Sequence, residues 1–129
     1  MKPLSILVVE DDADVMKIVR LILERASHHV TAVASVAGAL GLVRRQCFDV
    51  VLSDVLVGED DGIDVLREAR LLQPTARLVA MSGGGRLLHP SFCLTIAAAF
   101  GAVRLKKPFD AAELLLAVEG AAAVALSAT

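Results

Sequence analysis

Two acidic clusters, each closing an apolar run, hold most of the chemistry open to this sequence. Glu10, Asp11 and Asp12 follow Ile6-Leu7-Val8-Val9, and Asp54 follows Val50-Val51-Leu52-Ser53. Buried strands that empty their carboxyl ends into a shared crevice form the usual ligand site of open α/β sheets. Carboxylates gathered there repel one another unless a hard divalent cation sits among them. Metal-assisted phosphate chemistry is therefore the first expectation. A cation is also available in the chain itself: Lys107 follows another apolar run, and period-two alternation from Val103 and Leu105 sets it on a different face from Lys106.

The elements that must position these groups alternate regularly. Short β-rich runs occur at Ile6 to Val9, Val30 to Val33, Val50 to Leu52, Leu78 to Met81 and Ala102 to Leu105. Helical patterns lie between them, which is the signature of β-α units with a parallel sheet covered on both faces. Val15, Ile18, Val19 and Ile22 mark a first helix, with Asp12 or Asp14 as its N-cap and His28-His29 at its end. Ser35 caps a second helix carrying Val36, Ala39, Leu40 and Val43. Ile63, Leu66 and Ala69 mark a third, ended by Pro74 after Gln73. A fourth is expected roughly from Pro90 to Phe100, and a fifth opens with Asp110 and Glu113 in capping-box spacing and carries Leu114, Ala117 and Val118.

Composition narrows the classes of function. A chain of 129 residues, 56% hydrophobic, suits one domain with a substantial core. The net charge of -2, with basic residues scattered, argues against direct nucleic-acid binding. Cys47 and Cys93 have no metal-type spacing and sit among apolar neighbours, so both are expected as buried, reduced thiols in the cytoplasm. The apolar run after Met1-Lys2-Pro3 is too short for a signal-peptide core or a membrane span, and Glu113, Glu119 and Gly120 interrupt the alanine-rich end.

The ordered set of motifs resembles the response-regulator receiver domain, the CheY-like phosphoacceptor module of two-component signalling. The likeness rests on the acidic pair after strand one, Asp54 after strand three, Asp61-Gly62 opening helix three, Ser82 after strand four, and Lys107-Pro108-Phe109 after strand five. It implies a flavodoxin-like, doubly wound, five-stranded parallel sheet of order 2-1-3-4-5; that order comes with the resemblance and not from periodicity. It also implies a receiver domain over residues 1–122 with a tail at 123–129, acting alone rather than as an enzyme.

By the same resemblance Asp54 is the phosphorylation site, and Mg²⁺ is held by Glu10, Asp11, Asp54 and the backbone carbonyl of Leu56. Lys107 pairs with a phosphoryl oxygen, and Ser82 donates its hydroxyl to another. The implied donor is a histidine kinase or histidine phosphotransfer protein. The output is an unnamed protein partner or onward phosphotransfer, with neither DNA nor membrane contacted directly.

The sequence also departs from the family. Arg104 occupies the usual aromatic switch position, and the chain has no Tyr or Trp. A guanidinium cannot take an inward apolar position unpaired, so Arg104 is expected outward, on a partner surface, with Ser82 and the Gly83 to Gly85 loop reporting phosphorylation. Val57-Gly58 replaces the common Met-Pro pair, which implies a flexible loop after the phosphoacceptor. Asp60 reads as loop charge and Asp61 as the cap of helix three. Neither the His28-His29 pair nor His89 is expected to be catalytic, and the triple glycine lacks the following Lys-Ser or Lys-Thr of a phosphate loop.

Two other classes fit less of the pattern. A phosphatase-like hydrolase using Asp54 would need a second carboxylate two residues on, where Leu56 stands. A flavodoxin-like cofactor module would need flanking aromatics, of which the chain has only Phe48, Phe92, Phe100 and Phe109.

Overall fold

The computed structural model describes residues 2–83 and 100–120. In chain order the elements are β1 (Ser5–Val9), α1 (Ala13–Arg25), β2 (His29–Val33), α2 (Val36–Arg45), β3 (Val50–Asp54), β4 (Leu56–Val57) and β5 (Asp60–Asp61). Then come α3 (Ile63–Leu72), β6 (Arg77–Ser82), β7 (Val103–Lys106) and α4 (Ala111–Glu119). The helix expected from Pro90 to Phe100 falls almost wholly outside the described residues, as do His89, Cys93, Gly84, Gly85 and the tail at 123–129. Thus α4 is the helix that the sequence places fifth.

The long strands form one parallel sheet in the order β2-β1-β3-β6-β7. Leaving out the two short strands, this is the order 2-1-3-4-5 implied by the resemblance. Alternation along each strand divides the core between the two faces. Leu7, Val9, Val51, Leu78 and Ala80 pack with Val36, Ala39 and Val43 of α2 and with Ile63, Leu66 and Ala69 of α3. Ile6, Val8, Leu52, Val79 and Met81 pack with Val19 and Leu23 of α1 and with Leu114, Ala117 and Val118 of α4.

Helix ends follow their caps. Asp12 is the N-cap of α1 and accepts from the amides of Asp14 and Val15. Ser35 accepts from Gly38 at the start of α2, and Asp110 and Glu113 form the expected capping box on α4. The expected cap of the third helix is corrected: Gly62 is the N-cap of α3 and offers no side chain, while Asp61, one residue earlier on β5, accepts from the amide of Ile63 at 2.9 Å.

Three further local expectations are corrected. Ile18 is exposed, because the buried stripe of α1 runs through Val19 and Leu23 instead. Cys47 is exposed, lying after the end of α2 rather than within a packed face. Asp60, expected as loop charge, lies instead on β5, which pairs with β4 as a small antiparallel hairpin around Gly58, whose φ of +63° suits glycine. No helix among the described residues is long and apolar enough to cross a membrane.

Candidate functional site

The carboxyl ends of β1, β3, β6 and β7 converge on one charged crevice. Glu10 follows β1 directly; its amide donates to the carbonyl of Val33, which fixes where its side chain starts. The carboxylate is buried, at 2% exposure, and its Oε1 accepts from the Asp12 amide at 3.0 Å. Asp54 ends β3 and is also buried, at 8% exposure, and its Oδ1 accepts from the Leu56 amide at 3.2 Å. Asp11 is exposed. Carboxylate oxygens of Glu10, Asp11 and Asp54 all lie within 4.8 Å of one another.

Lys107 reaches into this cluster. Its Nζ donates to Glu10 Oε2 at 2.6 Å and to Asp54 Oδ2 at 2.8 Å. Burial works against the ammonium, but hydrogen bonds to Asp54 and Glu10, helped by both charges, raise its proton affinity above the ordinary lysine value. Burial is likewise the main influence on Glu10 and, with the Asp54 charge acting in the same direction, holds its carboxyl above the usual glutamate range; the Lys107 and Asp12 hydrogen bonds oppose it. Lys106, the preceding residue, is exposed at the end of β7.

The other predicted residues stand around this centre. Ser82 is buried at the end of β6, and its carbonyl accepts from the Lys107 amide at 2.8 Å, joining two positions that the sequence separates. Arg104 is exposed on β7. Leu56 lies on β4. Because the Gly62 amide bonds to the Val55 carbonyl, the alternation of an antiparallel pair turns the backbone groups of Leu56 away from β5. The Leu56 amide is spent on Asp54, and its carbonyl lies on the same outward side.

Two further residues define how Asp54 is held. A Cβ on Gly62 would stand 1.8 Å from the Asp54 carbonyl oxygen, so only glycine allows α3 to start this close to β3. The Ser53 hydroxyl donates to that same oxygen at 2.9 Å. In the sequence Ser53 closes an apolar run, and its lone hydroxyl between Leu52 and Asp54 is the one signal that singles it out.

Chemically the site offers a buried carboxylate at a strand end, two more carboxylates beside it, and an ammonium bridging two of the three. Comparison with known proteins agrees with this reading. A family model, "Response regulator receiver domain", matches residues 6–119. The response regulator receiver protein CpdR of Brucella abortus is 30% identical over 115 residues, covering 88% of this chain and 92% of CpdR. The alginate biosynthesis transcriptional regulatory protein AlgB of Pseudomonas putida is 36% identical over 77 residues; the match covers 60% of this chain but only 17% of AlgB. Among solved structures, a response regulator receiver protein from Sinorhizobium medicae has a TM-score of 0.77 at 29% identity, covering 92% of this chain and 93% of that one.

Proposed function

The chain belongs to the response regulator receiver domain family of two-component signalling, and from that premise we propose that Asp54 accepts a phosphoryl group from a phosphohistidine. The donor would be a histidine kinase or a histidine phosphotransfer protein in the cytoplasm. A carboxylate oxygen of Asp54 attacks phosphorus, and the phosphorus–nitrogen bond to the donor imidazole breaks. The departing nitrogen keeps the bonding pair and takes a proton from solvent, leaving an acyl phosphate on Asp54. The protein's task is placement and charge neutralisation, not bond chemistry of its own.

The observation that carries the reading is the Lys107 ammonium held between Glu10 and Asp54. As a phosphoryl group arrives, Lys107 exchanges its contact with Asp54 for a phosphoryl oxygen, and the Ser82 hydroxyl takes another. The hard oxygen donors of Glu10, Asp11 and Asp54 suit Mg²⁺, with the Leu56 carbonyl as a further ligand. When bound, Mg²⁺ would neutralise charge on the phosphoryl oxygens. Output runs by protein contact or onward phosphotransfer, with Ser82 reporting the modification and the exposed Arg104 on the partner surface. The receiver unit would span residues 1–122, with 123–129 as a tail.

Incubation with acetyl phosphate, with and without Mg²⁺, followed by intact-mass measurement tests the proposal. One added phosphoryl group is expected with Mg²⁺, and none in Asp54→Asn. Uptake that persists in Asp54→Asn, or in excess chelator, overturns it.

A further inference from the structure

Ser53 occupies a position where packing alone asks for an apolar side chain. Alternation along β3 places it on the face of Val51, which packs with Val55 against α2 and α3, and it is fully buried. A hydroxyl is unfavourable there unless it is hydrogen-bonded. Its bond goes to the carbonyl of the next residue, Asp54, at 2.9 Å.

That carbonyl belongs to the peptide unit joining Asp54 to Val55. The other side of the unit is fixed too, since the Val55 amide donates to the Met81 carbonyl at 3.0 Å. The start of α3 closes over the same oxygen at Gly62, where a Cβ would meet the Asp54 oxygen at 1.8 Å and the Ser53 hydroxyl oxygen at 3.1 Å. The peptide plane is thus held at its oxygen by Ser53 and at its nitrogen by Met81. Both functional groups on either side depend on that plane: the Asp54 carboxylate before it and the Leu56 backbone after it, already joined by a hydrogen bond of 3.2 Å.

We infer that Ser53 is a positioning residue for phosphoryl transfer: its hydroxyl locks the Asp54–Val55 peptide and thereby aims the Asp54 carboxylate and the Leu56 carbonyl into the site. The inference rests on the reading of Asp54 as the phosphoacceptor. Without the hydroxyl, a buried carbonyl loses a donor where water has no access, and the peptide turns to find another partner. Small displacements of a reacting group cost rate steeply.

The test compares Ser53→Thr with Ser53→Val, which have nearly the same shape and differ in the hydroxyl, with Ser53→Ala as a third variant. Each is phosphorylated with acetyl phosphate and Mg²⁺ and followed by intact mass. Thr should keep a rate near that of the unaltered protein, while Val and Ala should be roughly tenfold slower. Equal rates for Thr and Val overturn the inference. So does a loss of rate that follows unfolding stability across the variants instead of the presence of the hydroxyl.

A readout independent of phosphate separates this inference from the assignment of Asp54. The backbone carbonyl ¹³C shifts of Asp54 and Leu56 are measured by NMR during titration with Mg²⁺ alone. They should coincide for Ser and Thr and move for Val and Ala; coincidence across all four overturns the inference. If the unaltered protein takes up no phosphate, the assignment of Asp54 fails, and the carbonyl shifts still decide whether Ser53 holds the peptide.

Discussion

Both ends of the central sheet bury polar groups, but they satisfy them in opposite ways. At the amino ends of the strands, side chains bond mainly to backbone. Gln73 accepts from the Phe48 amide at 2.7 Å and donates to the carbonyls of Val43 and Gln46. His28 Nδ1 accepts from the Leu4 amide, Asp49 accepts from the Ser5 amide, and Arg77 donates to the Ala117 carbonyl. Arg70 donates to the carbonyls of Phe100, Pro74 and Ala76. At the carboxyl ends, Glu10 and Asp54 each accept one backbone amide, but they are joined to each other only through the charged side chain of Lys107.

A side chain tied to backbone has one arrangement, so the amino end joins elements permanently. Charged side chains tied to each other can exchange partners as an anion or cation arrives. The contrast explains why one sheet can carry a rigid base and a reactive rim. It also separates the consequences of mutation: changes at the amino end should cost stability and leave phosphate uptake intact, and changes at the rim should do the reverse.

The largest effect expected is at the amino end. Gln73→Leu fills similar space but strands the Phe48 amide and the Val43 and Gln46 carbonyls. At the usual scale for unsatisfied buried groups this should cost about 3 kcal/mol. Denaturant unfolding followed by circular dichroism measures it, since the chain has no Trp or Tyr. Phosphate uptake by the folded fraction should be little changed; a matching loss of uptake would erase the contrast between the two ends.

Gly62→Ala should strike at the boundary. The added Cβ cannot stand 1.8 Å from the Asp54 oxygen, so α3 or Asp54 must shift. Overpacking of this kind costs about 2 kcal/mol. Here uptake of phosphate should fall well beyond what the lost stability explains. Normal uptake per folded molecule would mean that Asp54 tolerates displacement.

What the sequence made legible follows the same division. The strands were readable because Ile6 to Val9 and Val50 to Leu52 are short, apolar and end in carboxylates, and the caps at Ser35 and Asp110 are local chemistry. That Lys107 and not Lys106 faces the carboxylates was readable from its place directly before Pro108 together with alternation along the strand. Convergence of Glu10, Asp54 and Lys107 was readable because parallel strands deliver their carboxyl ends to one side. The amino-end ties were not. His28 meets Glu119 across 91 positions of chain, and Gln73 meets Phe48 across 25, and nothing local in either neighbourhood signals the partner. Ile18 misled because Leu23 completes the buried stripe that Ile18 fits equally well by spacing.

A smaller effect, of opposite sign, tests the rim. With its carboxyl held above the usual range by burial, folded Glu10 binds a proton more tightly than the unfolded chain does. Glu10 therefore opposes folding at neutral pH, and the penalty fades as pH falls through the folded value toward the ordinary glutamate value of 4.5. Glu10→Gln should stabilise the metal-free protein at neutral pH, by less than either change above. The gain should shrink as pH falls toward the ordinary glutamate value of 4.5. Unfolding in chelator at several pH values checks this, and destabilisation at neutral pH would show that the Lys107 contact outweighs burial.

The smallest effect sharpens the picture of the amino end by finding its one strained joint among the described non-glycine residues. Ser27, between α1 and β2, has a φ of +71°. It sits where the Ser27 amide turns back to the Glu24 carbonyl and the His28 amide to that of Leu23, the pattern of a helix end that favours glycine. A left-handed conformation costs an L-residue roughly 1–2 kcal/mol, whereas glycine gives up roughly 0.5–1 kcal/mol in extra unfolded-state freedom. The first exceeds the second, so Ser27→Gly should stabilise by about 0.5 kcal/mol. Because the turn also delivers His28 to Leu4 and Glu119, the gain should require those contacts. In a His28→Ala background the turn keeps its backbone bonds but loses its side-chain ties to Leu4 and Glu119, and Ser27→Gly should add little. If the two substitutions prove additive, the strain at Ser27 is independent of the His28 tie, and the amino end is a set of separate joints instead of one coupled base.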